Sequence, residues 1–142
     1  MIEPKPSFLA HIAVAVDDLD IAATVYVALG FEMSEPEVIE REHVRLRKAT
    51  KEGVCLELIE PYPAGTGSVA KYLAKRGPGL HHVAYRSDDI HGDLKRLQER
   101  GINVLPGYPA NGAAGSVVAF LNPHTTGGVL IELVEKAKPK AV

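Results

Sequence analysis

The chain has no tryptophan, a single cysteine and no long apolar run. The lone thiol, Cys55, excludes an intramolecular disulfide and makes a reducing, cytoplasmic setting the default. It is expected as a small core residue. No stretch reaches the ~20 apolar residues that cross a bilayer, so no membrane is expected as a partner. Positive charge is not in excess: the formal net charge is −2, which leaves no basic footprint for nucleic acid. The start, Met1-Ile2-Glu3-Pro4-Lys5-Pro6, carries an early acid and two prolines and lacks the apolar core of a signal peptide. Residues 1–6 are expected to be a loose leader. What is present is globular: 46% of the 142 residues are hydrophobic, enough for one domain, 1–142, with a real core.

The chain contains one module twice. His11 aligns with His82 at an offset of 71 residues. At that offset Ala13 matches Ala84, Asp17-Asp18 matches Asp88-Asp89, Leu19 matches Ile90 and Gly30 matches Gly101. A repeat of this length suggests two halves that bury their cores together.

Each copy reads as β-α-β-β-β, an α+β pattern. In the first, about residues 7–61, Phe8 to Val16 is an apolar, β-branched strand. Asp17 or Asp18 caps a helix whose Leu19, Ala22, Ala23, Tyr26 and Leu29 face inward, and Gly30 stops it. Strands follow at Phe31 to Met33, at Val38 and Ile39 after a break at Pro36, at Val44 to Lys48 and at Val54 to Ile59. A connector, 68–77, holds a short helix capped by Ser68 and ended by Gly77-Pro78-Gly79. In the second copy, about residues 79–135, strand Leu80 to Arg86 leads to a cap at Ser87 or Asp88 and a helix from Ile90 to Arg100. Strands Ile102 to Leu105, Ser116 to Leu121 and Val129 to Val134 complete it, and the tail from Lys136 should fray.

Each copy closes on an apolar strand with one acid: Cys55-Leu56-Glu57-Leu58-Ile59 and Leu130-Ile131-Glu132-Leu133-Val134. Side chains alternate along a strand, so Glu57 shares its face with Cys55 and Ile59, and Glu132 shares its face with Leu130 and Val134. An ionised carboxylate on such a face costs several kcal/mol unless it is paired or metal-bound. The histidine-to-acid spacings are 46 and 50 residues. Two histidines and two carboxylates at repeat-equivalent places, His11, Glu57, His82 and Glu132, suit one divalent metal with open positions for an anionic substrate. His43, His81, His91 and His124 lack this support; His81, adjacent to His82, is expected on the opposite face.

Paired β-α-β-β-β modules with a His and a Glu in each resemble the vicinal oxygen chelate superfamily. Within it the chain is similar, over nearly its whole length, to the methylmalonyl-CoA epimerase family. The similarity is carried by Leu56-Glu57-Leu58-Ile59-Glu60-Pro61, by the Ser68 to Gly77 stretch, by Gly79-Leu80-His81-His82-Val83-Ala84, and by the run from Phe120 through Asn122-Pro123-His124-Thr125-Thr126-Gly127-Gly128 to Leu133. The resemblance implies a partly closed, open β-barrel around a metal site, with His11, Glu57, His82 and Glu132 as ligands. The ion would be Co, Mn, Ni, Zn or Fe. It further implies a homodimer and a 1,1-proton transfer on an acyl-CoA substrate through a metal-stabilised enolate. Glu132 would serve one face of the α-carbon. Where the family has a Pro-Glu-X-Gly-Val stretch, this chain has Arg41-Glu42-His43-Val44, so Glu42 matches after one deletion and would serve the other face. Arg45, Arg47, Lys48, Lys71, Lys75 and Arg76 are available for the CoA phosphates. A glyoxalase I-like lyase would use the same ligands; an extradiol dioxygenase needs only three, and a metal-free binding module needs none.

Overall fold

The computed structural model describes residues 8–138; the expected leader, 1–6, and the end of the expected fraying tail, 139–142, lie outside the described residues. Strand β1 (Leu9–Ala15) buries His11, Ala13 and Ala15 on one face, with a period of two. Helix α1 (Leu19–Ala28) begins at Asp18, whose carboxylate accepts from the Ile21 amide at 2.9 Å. Leu19 and Ala23 face inward as expected, but Leu29 lies beyond the helix and is 57% exposed. Strands β2 (Glu32–Met33) and β3 (Glu37–Ile39) both run antiparallel to β4 (Val44–Lys51), which pairs with β5 (Val54–Pro61). Cys55 on β5 is half-buried rather than a full core residue.

Helix α2 (Gly67–Arg76) starts earlier than the sequence suggested and is not capped by Ser68. Thr66 holds the cap position, and its hydroxyl donates to the Pro63 carbonyl at 2.7 Å instead of serving the helix. Gly77, at φ 74, ends α2 as expected.

Strand β6 (Gly79–Arg86) leads to α3 (Ile90–Glu99). The cap is Asp89, which accepts from the Gly92 amide at 3.1 Å, and neither Ser87 nor Asp88 takes that part. Ser87 is buried and donates to Asp93 instead. The expected strand from Ile102 to Leu105 does not form. Val104 makes one isolated bridge to Leu121, while the Asn103 amide is taken by the Thr125 hydroxyl at 3.2 Å, outside any ladder. The short strand β7 (Ala110–Asn111) pairs with β8 (Val117–Phe120), and β8 pairs antiparallel with β9 (Ile131–Glu135).

The strands pair in two runs, β2-β4-β5-β1 with β3 also on β4, and β6-β9-β8-β7, and neither run closes on itself into a barrel. Two compact units divide the described chain: His11–His82, and residues 8–10 with 83–138. The division falls inside β1 and β6, not in the connector after residue 61. Within each unit the repeat is visible in the register. β1 runs parallel to β5 with Ala13 opposite Glu57, and β6 runs parallel to β9 with Ala84 opposite Glu132. Leu58 packs on Leu19 and Ala23 of α1; Leu133 packs on Ile90 of α3. A second acid three residues on completes the pattern. A Glu60 carboxylate oxygen accepts from the Leu19 amide, and Glu135 Oε1 accepts from the Ile90 amide at 3.0 Å. Each closing strand thereby serves the positive end of its helix. The Glu-Leu-x-Glu stretch that produces this is in the sequence twice, at Glu57 to Glu60 and Glu132 to Glu135, but only the contacts give it meaning.

Hydrogen bonding from Ser87 holds the Asp93 carboxyl below its usual 3.8, against the pull of burial and with further help from Arg96. A folded-state value below the unfolded one adds stability above the unfolded value, which is lost as pH falls through the folded value. Asp93→Asn should therefore flatten the acid limb of the stability curve below about pH 4. Thermal melts of both proteins across that range check this, and curves that stay parallel would refute it. No helix among the described residues is long and apolar enough to cross a membrane.

Candidate metal centre

His11 sits on the buried face of β1, 7% exposed. The neighbour of its strand at Glu57 is Ala13, whose side chain ends at Cβ. Nothing bulky therefore separates the imidazole from the carboxylate diagonally across the ladder. His11 Nδ1 lies 3.3 Å from Glu57 Oε2. On the other side of the ring, His11 Nε2 lies 3.4 Å from His82 Nε2, with the rings edge to face at 69°. Of the expected ligands in this unit, His82 therefore meets His11 through Nε2, while Glu57 meets it through Nδ1 on the far side of the ring.

Glu132 belongs to the other unit and is placed there by β9. It is 6% exposed and stands between Ala84 of β6 and Phe120 of β8. Glu57 has Ala13 on one side but Lys48 of β4 on the other. The two acids are equivalent in the repeat and differ in this neighbour. Both are buried, as residues on apolar strand faces would be, but Glu57 has His11 and Lys48 among its neighbours.

Glu42 ends a 3₁₀ turn, Glu40–Glu42, and is half-buried with Arg41 Nε 3.9 Å from its Oε1. His43 follows in the left-handed region at φ 53. Its carbonyl accepts from the Tyr62 amide at 2.8 Å, and its Nδ1 meets the Thr66 hydroxyl at 3.2 Å. A Cβ on Gly67 would come within 2.7 Å of the His43 Cβ, so a glycine is required for the turn to lie this close.

The basic residues divide. Arg45 pairs with Glu60 at 3.2 Å, and Arg47 pairs with Asp20 at 3.4 Å, so both are spent within their own unit. Lys71, Lys75 and Arg76 lie exposed on α2, with Arg76 5.7 Å above the Tyr72 ring. One residue of the centre was missed at the level of sequence. His81 does not turn away from His82: their Nδ1 atoms lie 2.7 Å apart. Strand alternation separates the directions of adjacent Cβ atoms, yet Nδ1 lies near enough to the backbone for the two rings to meet beside it.

The donor set fits a first-row divalent ion. Two nitrogens each about 2.1 Å from one ion are about 3.0–3.4 Å apart at octahedral to tetrahedral angles. The observed Nε2–Nε2 separation of 3.4 Å lies in that range and is long for an N–H···N bond.

A family model described as the Glyoxalase/Bleomycin resistance protein/Dioxygenase superfamily matches residues 10–120. The ethylmalonyl-CoA/methylmalonyl-CoA epimerase of Cereibacter sphaeroides is 39% identical over 129 residues, covering 88% of this chain and 95% of that one. The crystal structure of methylmalonyl-CoA epimerase from Mycobacterium tuberculosis superposes with a TM-score of 0.87 at 32% identity, covering 97% of this chain and 94% of that one. A methylmalonyl-CoA epimerase solved in complex with methylmalonyl-CoA and NH4+ gives 0.85 at 35% identity, covering 97% of this chain and all of that one. Register, the facing histidines and these likenesses agree, and the chain belongs to the Glyoxalase/Bleomycin resistance protein/Dioxygenase superfamily.

Proposed function

We propose that this chain is an isomerase that epimerises methylmalonyl-CoA, with a divalent ion held by His11, Glu57, His82 and Glu132. The observation that carries the reading is the pair of imidazole nitrogens, Nε2 of His11 and Nε2 of His82, turned toward each other at 3.4 Å. The repeat supports the fourth ligand: Glu132 stands opposite Ala84 as Glu57 stands opposite Ala13. The similarity to proteins named epimerases favours this reaction over a glyoxalase I-like lyase with the same ligands.

When bound, the ion supplies Lewis-acid stabilisation of the charge that develops on the substrate as its α-proton leaves. The protein then has to move a proton. Glu132 is assigned to one face of the α-carbon and Glu42 to the other. One carboxylate removes the proton, the other carboxyl returns one, and the centre inverts. The bonds from Tyr62 and Thr66 to His43 hold the backbone just after Glu42. The exposed Lys71, Lys75 and Arg76 are the cations offered to the CoA phosphates. A homodimer and a cytoplasmic setting belong to the same proposal.

The test is α-proton exchange of methylmalonyl-CoA in deuterated water. Glu42→Gln should keep its metal and slow exchange by about 10²–10⁴-fold, the usual worth of a positioned acid or base. Exchange at the wild-type rate would remove Glu42 from the reaction.

A further inference from the structure

Each histidine of the cluster turns one ring nitrogen toward the other ring and gives its second nitrogen to a partner. For His11 the partner is the Glu57 carboxylate, 3.3 Å from Nδ1. For His82 the partner is its own chain neighbour, with Nδ1 of His81 2.7 Å from Nδ1 of His82. Two ring nitrogens at that distance share one hydrogen, because two lone pairs or two N–H groups would repel. An imidazole that offers Nε2 to a cation keeps its lone pair there, so its hydrogen sits on Nδ1. That hydrogen points at His81, which accepts through Nδ1 and carries its own hydrogen on Nε2.

His81 is itself held. The Tyr72 ring packs edge-on against it with centroids 4.9 Å apart. The Tyr72 hydroxyl donates to the carbonyl of Leu80, the residue just before His81. Helix α2 thereby ties down the start of β6 and the ring that follows.

We propose that His81 is a positioning residue that accepts from Nδ1 of His82, fixing the tautomer and the ring orientation that present His82 Nε2 to a divalent cation. The inference rests on the metal-site reading above and adds to it the residue that orients one ligand. Partners of this kind are commonly worth 10–100-fold in metal affinity.

The experiment is a titration of metal-free protein with Co²⁺, followed by calorimetry and by the visible absorption of the bound ion. His81→Phe keeps an aromatic ring for Tyr72 but has no acceptor. It should bind Co²⁺ about 10–100-fold more weakly and shift the absorption band. His81→Asn places an amide oxygen close to the old Nδ1 position and should restore most of the affinity and the wild-type band. A role in packing alone would give the opposite order. If the phenylalanine variant fails to fold, His81→Leu against His81→Asn makes the same comparison of acceptor absent and present. Acceptor-free protein that binds Co²⁺ as tightly as wild type overturns the inference and leaves the metal site standing. So does an asparagine variant as weak as the acceptor-free one. Wild-type protein that takes up no Co²⁺ overturns both.

Discussion

Replacing His82 by alanine is expected to remove most of the bound divalent metal while leaving the fold in place. His82 is half-buried and contributes to the cluster through ring nitrogens, not through a packed apolar surface. Strand tolerance for the change is within about 1 kcal/mol. The loss of a nitrogen donor falls on the ion, whose contribution to the transition state is several kcal/mol. Several kcal/mol corresponds to about 10²–10⁴-fold in rate. His11→Ala should behave in the same way, with a larger cost to folding, since His11 is 7% exposed on the buried face of β1. Metal content by elemental analysis and α-proton exchange in deuterated water check both variants. Unchanged metal stoichiometry in either variant would remove that histidine from the site.

Truncating Leu58 should produce the largest loss of stability from a single side chain. Leu58 is 0% exposed and packs against Val16, Leu19 and Ala23, with Val14, Tyr26 and Met33 around it. Leu58→Ala removes the buried methyls and leaves a cavity beneath α1, at a cost of about 2–5 kcal/mol. The small neighbour Ala23 cannot swing in to fill it. For a chain of this size that loss lowers the Tm by roughly 6–20 °C. Leu133→Ala is the same change in the other unit, against Ile90 and Ala119, and should cost somewhat less because Leu133 is 7% exposed. Denaturant and thermal unfolding measure both. A cost below about 1 kcal/mol at Leu58 would mean that α1 settles onto the sheet without strain.

The histidine and acid positions were legible because they recur. An offset that aligns His11 with His82 also aligns Ala13 with Ala84, and the structure shows why the alanines belong to the pattern. Each stands opposite an acid and leaves space beside it. The helix starts were legible to within a residue or two. Asp18 caps α1, but the second cap moved to Asp89 because Ser87 was drawn into a bond with Asp93. The strand expected at Ile102 to Leu105 failed where side-chain and loop bonds replaced the ladder. His81 was misplaced because strand alternation describes where Cβ points and not where a ring nitrogen ends.

The sequence by itself determined the twice-repeated order of elements, the apolar faces and the four residues set at equivalent places. These follow from short-range periodicity and capping, which depend on neighbours along the chain. Only the tertiary structure decided that Glu57 meets Nδ1 of His11, that His82 meets its Nε2, and that His81 stands behind His82. It also decided that Glu60 and Glu135 serve the helix starts while Arg45 and Arg47 are drawn into ion pairs. Register and rotamer bring together atoms distant in sequence, and their energies depend on packing around them, which no local pattern records.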